Sequence, residues 1–416
     1  MGAPESLHAT RRQRATPSER AAALVPEFAR RAVINDRDNR LPLENIADLH
    51  AAGLLGLTVP ASAGGFGGGL ADAVAVVSAV SRGDASTALL LSLHYQWQAA
   101  IARSPRWPAH LRHAIGHEAA TEPALINALR VEPELGTPVR GGLPATRARR
   151  VEGGWRISGR KVYSSGAALL RHAVVWAAAE VDGALLTGYF LLPMSAAGIT
   201  LVPTWDHLGM RATVSDDVIL DEVFVPADHA VDLRPPEAWA APDALIASWN
   251  PVLIAAAYAG IPEAARDWLV GWLNGRTPSN LGAPLSSLYR FQTVVGEIEG
   301  LIAVNRRLLA HFALEFDAAD QDGLDEPAEA DGGRPDPGLG RSGKLLPPTD
   351  AGLVKHAVTG NAIRALELAV EAAGNPALMR ANPLERLHRD VLCSRIHSPQ
   401  NDMILTQAGR LALGLC

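Results

Sequence analysis

A change of texture along the chain constrains its fold more than any single motif. From about Ala21 to His117 apolar residues recur at helical spacing, with alanine and leucine abundant. Near Thr121 the period switches to short apolar runs cut by turn pairs. Glu152-Gly153-Gly154 joins the runs 147–151 and 155–157, and Asp182-Gly183 joins 173–181 to 184–192, so two hairpins are expected. Runs 199–202 and 218–225 complete at least six strands. From about Ala240 the helical period returns. Phe291, Val294, Val295, Ile298, Leu301, Ile302, Leu308, Leu309 and Phe312 predict one long core helix, and Ile363, Leu366 and Val370 a second. Helices, then a β domain, then helices make an α+β architecture, because a doubly wound sheet would alternate the two. The expected division is a tail over 1–20, an N-terminal helical domain over 21–120, a middle β domain over 121–230 and a C-terminal helical bundle over 231–416.

Residues 1–20 are polar and Arg-rich and read as a disordered tail. An acidic, Gly/Pro-rich stretch over 317–348 reads as a flexible surface insert; its carboxylates lack the spacing of a calcium loop. Five glycines among residues 64–69 break the first helical domain with a loop. As a phosphate cradle that loop lacks the Lys-Ser/Thr pair and a preceding strand. With 48% apolar residues in 416, the chain can bury a large core, and no run is read as long enough to span a bilayer. Net charge is −6 with no basic stripe, so neither nucleic acid nor a membrane is expected as a partner. With no secretory signal, Cys393 and Cys416 read as reduced thiols in a cytoplasmic protein. His113 and His117 can share a helix face, but a zinc site needs a third ligand, and no metal is expected.

Several segments, in order from about Leu49 to Gly409, resemble the acyl-CoA dehydrogenase superfamily. Leu49-His50-Ala51-Ala52-Gly53-Leu54, Val59-Pro60, Gly64-Gly65 and Asp84-Ala85-Ser86 are similar to its N-terminal signature. Val131-Glu132-Pro133-Glu134-Leu135-Gly136-Thr137 resembles the segment that lies along the flavin and donates backbone N–H groups, with Val131 in place of a threonine. Tyr163-Ser164-Ser165, in the stretch 159–166, looks like the strand whose aromatic residue stacks near the flavin and whose hydroxyl reaches its N5 edge. Trp205 to Thr213 and Val223 to Pro226 resemble the end of the family's β domain. The resemblance implies a middle β-barrel, a C-terminal four-helix bundle and bound FAD. It also places Arg276 and Gln292 near the cofactor's pyrophosphate, often that of a neighbouring subunit, although Arg276 reads equally as a surface residue. Glu371-Ala372-Ala373-Gly374-Asn375 departs from a Gln-x-x-Gly-Gly pattern near the ADP half, which leaves FMN as an alternative.

The reaction is where the resemblance divides. Dehydrogenation of an acyl-CoA thioester needs a carboxylate base against the flavin. The family's position for it reads Ser398, in His397-Ser398-Pro399-Gln400-Asn401-Asp402, and the alternative helix, 248–257, holds Asn250 and no acid. Asp402 is the nearest carboxylate. Flavin monooxygenases similar to dibenzothiophene monooxygenase carry one histidine at that segment and another on an early helix. His397 and His94 match them, so the expected reaction is oxygenation of a small organic substrate by reduced flavin and oxygen. His397, His94 and Ser165 are then the catalytic candidates, with Tyr95, Trp97, Trp205 and Ser398 around the substrate. The alternatives are an acyl-CoA dehydrogenase with Asp402 as base, or a non-catalytic paralogue that binds acyl thioesters. A flavin reductase or an electron-transfer flavoprotein is the expected electron partner, and a homo-oligomer, dimer or tetramer, the expected assembly.

Overall fold

The computed structural model describes residues 15–136, 142–239, 243–325 and 348–415. Five helices open the chain: α1 (Pro17–Arg37), α2 (Leu43–Ala51), α3 (Leu70–Gly83), α4 (Ala85–Arg103) and α5 (Ala109–Thr121). Eight strands follow: β1 (Leu125–Leu129), β2 (Arg147–Val151), β3 (Gly154–Lys161), β4 (Leu170–Val181), β5 (Ala184–Pro193), β6 (Ile199–Val202), β7 (Asp217–Pro226) and β8 (Ala230–Arg234). Six helices complete the described residues: α6 (Ala244–Ala259), α7 (Ile261–Gly275), α8 (Tyr289–Asp325), α9 (Pro348–Ala373), α10 (Pro383–Leu392) and α11 (Asn401–Ala412).

The strands form one sheet in the order β6-β7-β3-β2-β4-β5-β8, with β1 parallel to β4. Both expected hairpins are present, as β2–β3 and β4–β5. Strand β4 is buried on both faces, and its period of two divides it cleanly. Ala173, Val175 and Ala177 enter the main core with the helices. Val174 and Trp176 enter a separate aromatic cluster with Trp97, Trp107 and Tyr189. Such two-sided burial explains its near-continuous apolar sequence.

Three expectations are corrected. The last part of the expected tail is helical, because Thr16 and Glu19 form a reciprocal cap at 3.3 and 2.8 Å and Pro17 opens α1, while 1–14 lie outside the described residues. That local signature outweighs polar composition. The expected acidic insert is helical in its first part: α8 continues through Asp325, and 326–347 lie outside the described residues. Asp317 has a structural task there, since its two carboxylate oxygens accept the N–H groups of Leu70 and Ala71, each at 2.8 Å. A Cβ at Gly69 would stand 2.5 Å from that carboxylate. The glycine loop therefore seats the protein's own anion at the start of α3, where a helix favours negative charge. Third, Leu245–Gly275 is long and apolar enough by composition to cross a membrane, but most of it is buried inside the protein. Gly260 interrupts it between α6 and α7, which makes it a pair of core helices.

Candidate active site

Two groups of residues carry chemistry. The first lies on the β domain, where the segment after β1 meets the loop after β3. Val162 N–H donates to Val131 O at 3.0 Å. Beneath that contact Lys161 Nζ donates to Glu132 Oε1 at 2.6 Å and to Trp176 O at 2.5 Å. Glu132 also accepts from Thr146 Oγ1 at 2.6 Å and from the N–H groups of Ala145 and Thr146. Both charges are fully buried; burial lowers the Lys161 ammonium to about 8 against the pull of Glu132. The pair locks the two flavin-like segments together. Glu132 and Gly136 close a tight loop through mutual backbone bonds of 3.2 and 2.8 Å, with Pro133 exposed at its turn.

Above the pair, Tyr163 takes a left-handed conformation, φ 55°, and stands 59% exposed with its ring edge-on to Trp205 and His207. Trp205 and His207 stack at 3.7 Å. Ser165 Oγ bonds Ser215 Oγ at 2.8 Å, and Ser215 bonds Thr213 Oγ1 at 2.8 Å. The Asn127 amide donates to Ser165 O at 3.3 Å. The hydroxyl of Ser164 and the indole N–H of Trp205 are buried without partners among the described residues.

The second group lies among the C-terminal helices. The fully buried Tyr258 on α6 bonds His397 Nδ1 at 2.8 Å. Among the described residues the Tyr258 hydroxyl has no other acceptor, so it donates. His397 Nδ1 then accepts, and the neutral ring carries its proton on Nε2. Lys355 on α9, itself buried, donates to His397 O at 2.9 Å and to Pro399 O at 2.8 Å. Burial, then the Lys355 cation, lowers His397 to about 4; burial lowers Lys355 to about 8. Asn250 on α6 donates to Ser398 O at 2.9 Å. Three side chains thus grip one short segment, which contains a cis Ser398-Pro399 bond.

Other expected residues have different settings. Both ring nitrogens of His94 are occupied: Nε2–H donates to Leu55 O at 3.0 Å, and Nδ1 accepts from Ile126 N–H at 3.2 Å. It is fully buried, and burial lowers it to about 4, so it is a neutral brace between α4 and β1. Tyr95 is a core residue whose hydroxyl donates to Leu54 O at 2.7 Å, and Trp97 belongs to the aromatic cluster. Asp402 is exposed on the first turn of α11. Arg276 lies over Trp272 at the exposed end of α7, while Gln292 donates to Ser286 O at 3.1 Å. Gly374, at φ 68° and ψ −144°, and Asn375 are exposed after α9. Thr137 lies outside the described residues. The Cys393 thiol is pushed up to about 12, chiefly by burial, and is not a nucleophile at neutral pH. Among the described residues no three metal-binding side chains converge.

Residues 11–104, 130–223 and 252–401 match, in order, the N-terminal, middle and C-terminal domains of acyl-CoA dehydrogenase. A putative acyl-CoA dehydrogenase of Bacillus subtilis, YdbM, is 30% identical over 93% of this chain and 94% of its own. The chain belongs to the acyl-CoA dehydrogenase family. Among other family members, it is 29% identical to L-evernosamine nitrososynthase of a Micromonospora species, over 95% of this chain and 89% of that protein. A solved structure of KijD3 in complex with FMN and dTDP-3-amino-2,3,6-trideoxy-4-keto-3-methyl-D-glucose is 27% identical. It matches with a TM-score of 0.79 over 96% of this chain and 93% of that one. This acyl-CoA dehydrogenase family member is a flavin-dependent oxidoreductase with the family fold.

The β-domain group fits such a cofactor. An exposed ring on a strained backbone, a partly exposed hydroxyl at the end of a hydrogen-bond chain, and two orphaned buried donors suit a flat ring with polar edges. Tyr163, Ser165 and the backbone of 131–136 would hold it. Sequence reading missed Tyr258, Lys355, Ser215 and the Glu132–Lys161 pair. A lone cation at a core position of α9, and a lone tyrosine on an apolar helix, were the available signals.

Proposed function

We propose that this protein uses reduced flavin and molecular oxygen to oxygenate a heteroatom of a small organic substrate, an amine nitrogen above all. The observation that carries this is the contact of Asn250 with the Ser398 carbonyl at 2.9 Å. Ser398 stands where the family resemblance puts its carboxylate base, and Asn250 lies on the helix that would carry the alternative one, which holds no acid over 248–257. Asp402 is exposed, so abstraction of a proton beside a thioester lacks its group. Beside Ser398 stands a neutral imidazole with Nδ1 held by Tyr258, which leaves Nε2–H as a hydrogen-bond donor. Burial, then the Lys355 cation, keeps the ring neutral, and Lys355 clamps its backbone. A bound reduced flavin would supply two electrons: oxygen, reduced flavin and an amine yield a hydroxylamine, water and oxidised flavin. The nitrososynthase relatives, amino sugar nitrososynthases among them, support the nitrogen. A flavin reductase is the matching electron source. The exposure of Arg276, Gln292 and Asn375 suits contact with a second copy.

The test pairs two experiments. With reductase-generated reduced FMN and oxygen, an amine panel is expected to give products one oxygen heavier by mass spectrometry. Anaerobic mixing of the oxidised holoprotein with a series of acyl-CoAs is expected to leave the flavin band intact. Bleaching by any acyl-CoA would return the reading to a dehydrogenase.

A further inference from the structure

The hydroxyl chain behind Ser165 has a direction. Thr213 Oγ1 lies 2.9 Å from Met210 O, a carbonyl that can only accept. If Thr213 donates there, Ser215 donates to Thr213 and Ser165 donates to Ser215, over the two 2.8 Å links. Each hydroxyl has one proton, so Ser165 is then left with lone pairs only. Thr213 and Ser215 are buried at 1% and 3% exposure, while Ser165 is partly exposed, so a ligand meets the chain only at Ser165.

The chain is held rigidly. Met210 and Val214 take left-handed conformations, φ 53° and 39°, and for a β-branched valine that is a strained state. Met210 N–H donates to the buried Asp390 Oδ1 at 2.6 Å, and Gly166 N–H donates to Thr213 O at 2.9 Å. The Met210 carbonyl is thereby pinned from the C-terminal bundle, and the chain's outer end from the β domain.

We infer that the chain Met210–Thr213–Ser215–Ser165 reads the redox state of the flavin, favouring the reduced form. The inference rests on the flavin reading above, with Ser165 at the N5 edge. Reduced flavin carries a hydrogen on N5 and donates; oxidised N5 only accepts. With the reduced ring, all three links within the chain and the link to N5 form together. With the oxidised ring, Ser165 must donate outward, and either the chain reverses and the Thr213–Met210 bond is lost, or the N5 bond is not made. The oxidised state is one hydrogen bond poorer. One neutral hydrogen bond corresponds to roughly a tenfold preference at most. Such a preference draws reduced flavin from a reductase and releases oxidised flavin after turnover.

The test measures dissociation constants of oxidised FMN and of dithionite-reduced FMN under anaerobic conditions, for the full chain and its variants. Wild type is expected to bind the reduced form several-fold tighter. Thr213→Val removes the inner acceptor, so Ser215 and Ser165 turn outward, and the reduced-to-oxidised preference is expected to be lost, a fall of roughly tenfold at most. For a two-electron couple that is about 30 mV in the potential of the bound flavin. Thr213→Ser is expected to restore the preference, and Ser215→Ala to remove it, which keeps the test available if the valine variant does not fold. An unchanged ratio in variants that still bind flavin overturns the inference and leaves the flavin site standing. Failure of wild type to bind either form overturns both.

Discussion

His94 and His397 have the same residue type and the same lowered value, about 4, in both cases chiefly through burial; the Lys355 cation adds to it at His397. His94 is sealed between two backbone groups, whereas His397 has a tyrosine on one nitrogen and a cation nearby. Between pH 6.5 and 4 the unfolded chain takes up a proton at His94 that the folded protein refuses, so stability falls as pH drops through that window. The full difference is worth about 3 kcal/mol for a fully buried group. His94→Asn is expected to lower stability at neutral pH and to flatten its decline between pH 6.5 and 4, as read by denaturant melts. For His397 the predicted change runs through Lys355. Lys355→Met removes the cation, so the imidazole is expected to titrate above its present value of about 4, as followed by NMR; an unmoved titration would deny the coupling. Tyr258→Phe frees Nδ1 and lets the ring choose its tautomer. It is expected to reduce turnover with little effect on flavin affinity.

Pairs of segments, not single residues, position the site. The Glu132–Lys161 pair binds the segment after β1 to the end of β3 with both charges out of water. Lys161→Met strands Glu132 and is expected to cost about 3–5 kcal/mol by urea melts, with the double variant Lys161→Met/Glu132→Gln recovering a large share. A helix start offers a second case. Asp317 on α8 caps α3 across 247 residues of chain, so Asp317→Ala is expected to cost about 1–2 kcal/mol. Equal stability of that variant would mean that water replaces the carboxylate at no cost.

The whole molecule has one dominant core. Its buried cluster runs from Ala21 through the sheet residues Val175 and Phe190 to Leu366 and Val391, crossing all three matched domains. Polar ties cross the same boundaries: Arg389 on α10 pairs with Asp36 on α1 at 2.7 Å, and Ser81 on α3 donates to Ala257 O on α6 at 2.6 Å. Calorimetry is therefore expected to give a single unfolding transition, which moves upward with bound FMN. Three separate transitions would mean that the domains are energetically independent.

What the sequence by itself determined was local in origin. The switch of period at Thr121 and its return near Ala240 follow from side-chain alternation and helical spacing, and both hairpins follow from Gly-containing turns. The ordered family motifs and the missing carboxylate at Ser398 are likewise properties of residue type and order. Tertiary structure decided which candidate groups remain chemically available. Leu55 and Ile126 take both nitrogens of His94 from 39 and 32 residues away, Tyr258 reaches His397 across 139, and Ser215 meets Ser165 across 50. Periodicity encodes which face of a helix or strand is buried, but not which distant polar group will share that burial. The partner is chosen when the elements pack, because a buried donor or acceptor must be satisfied by whatever the fold brings within hydrogen-bond reach.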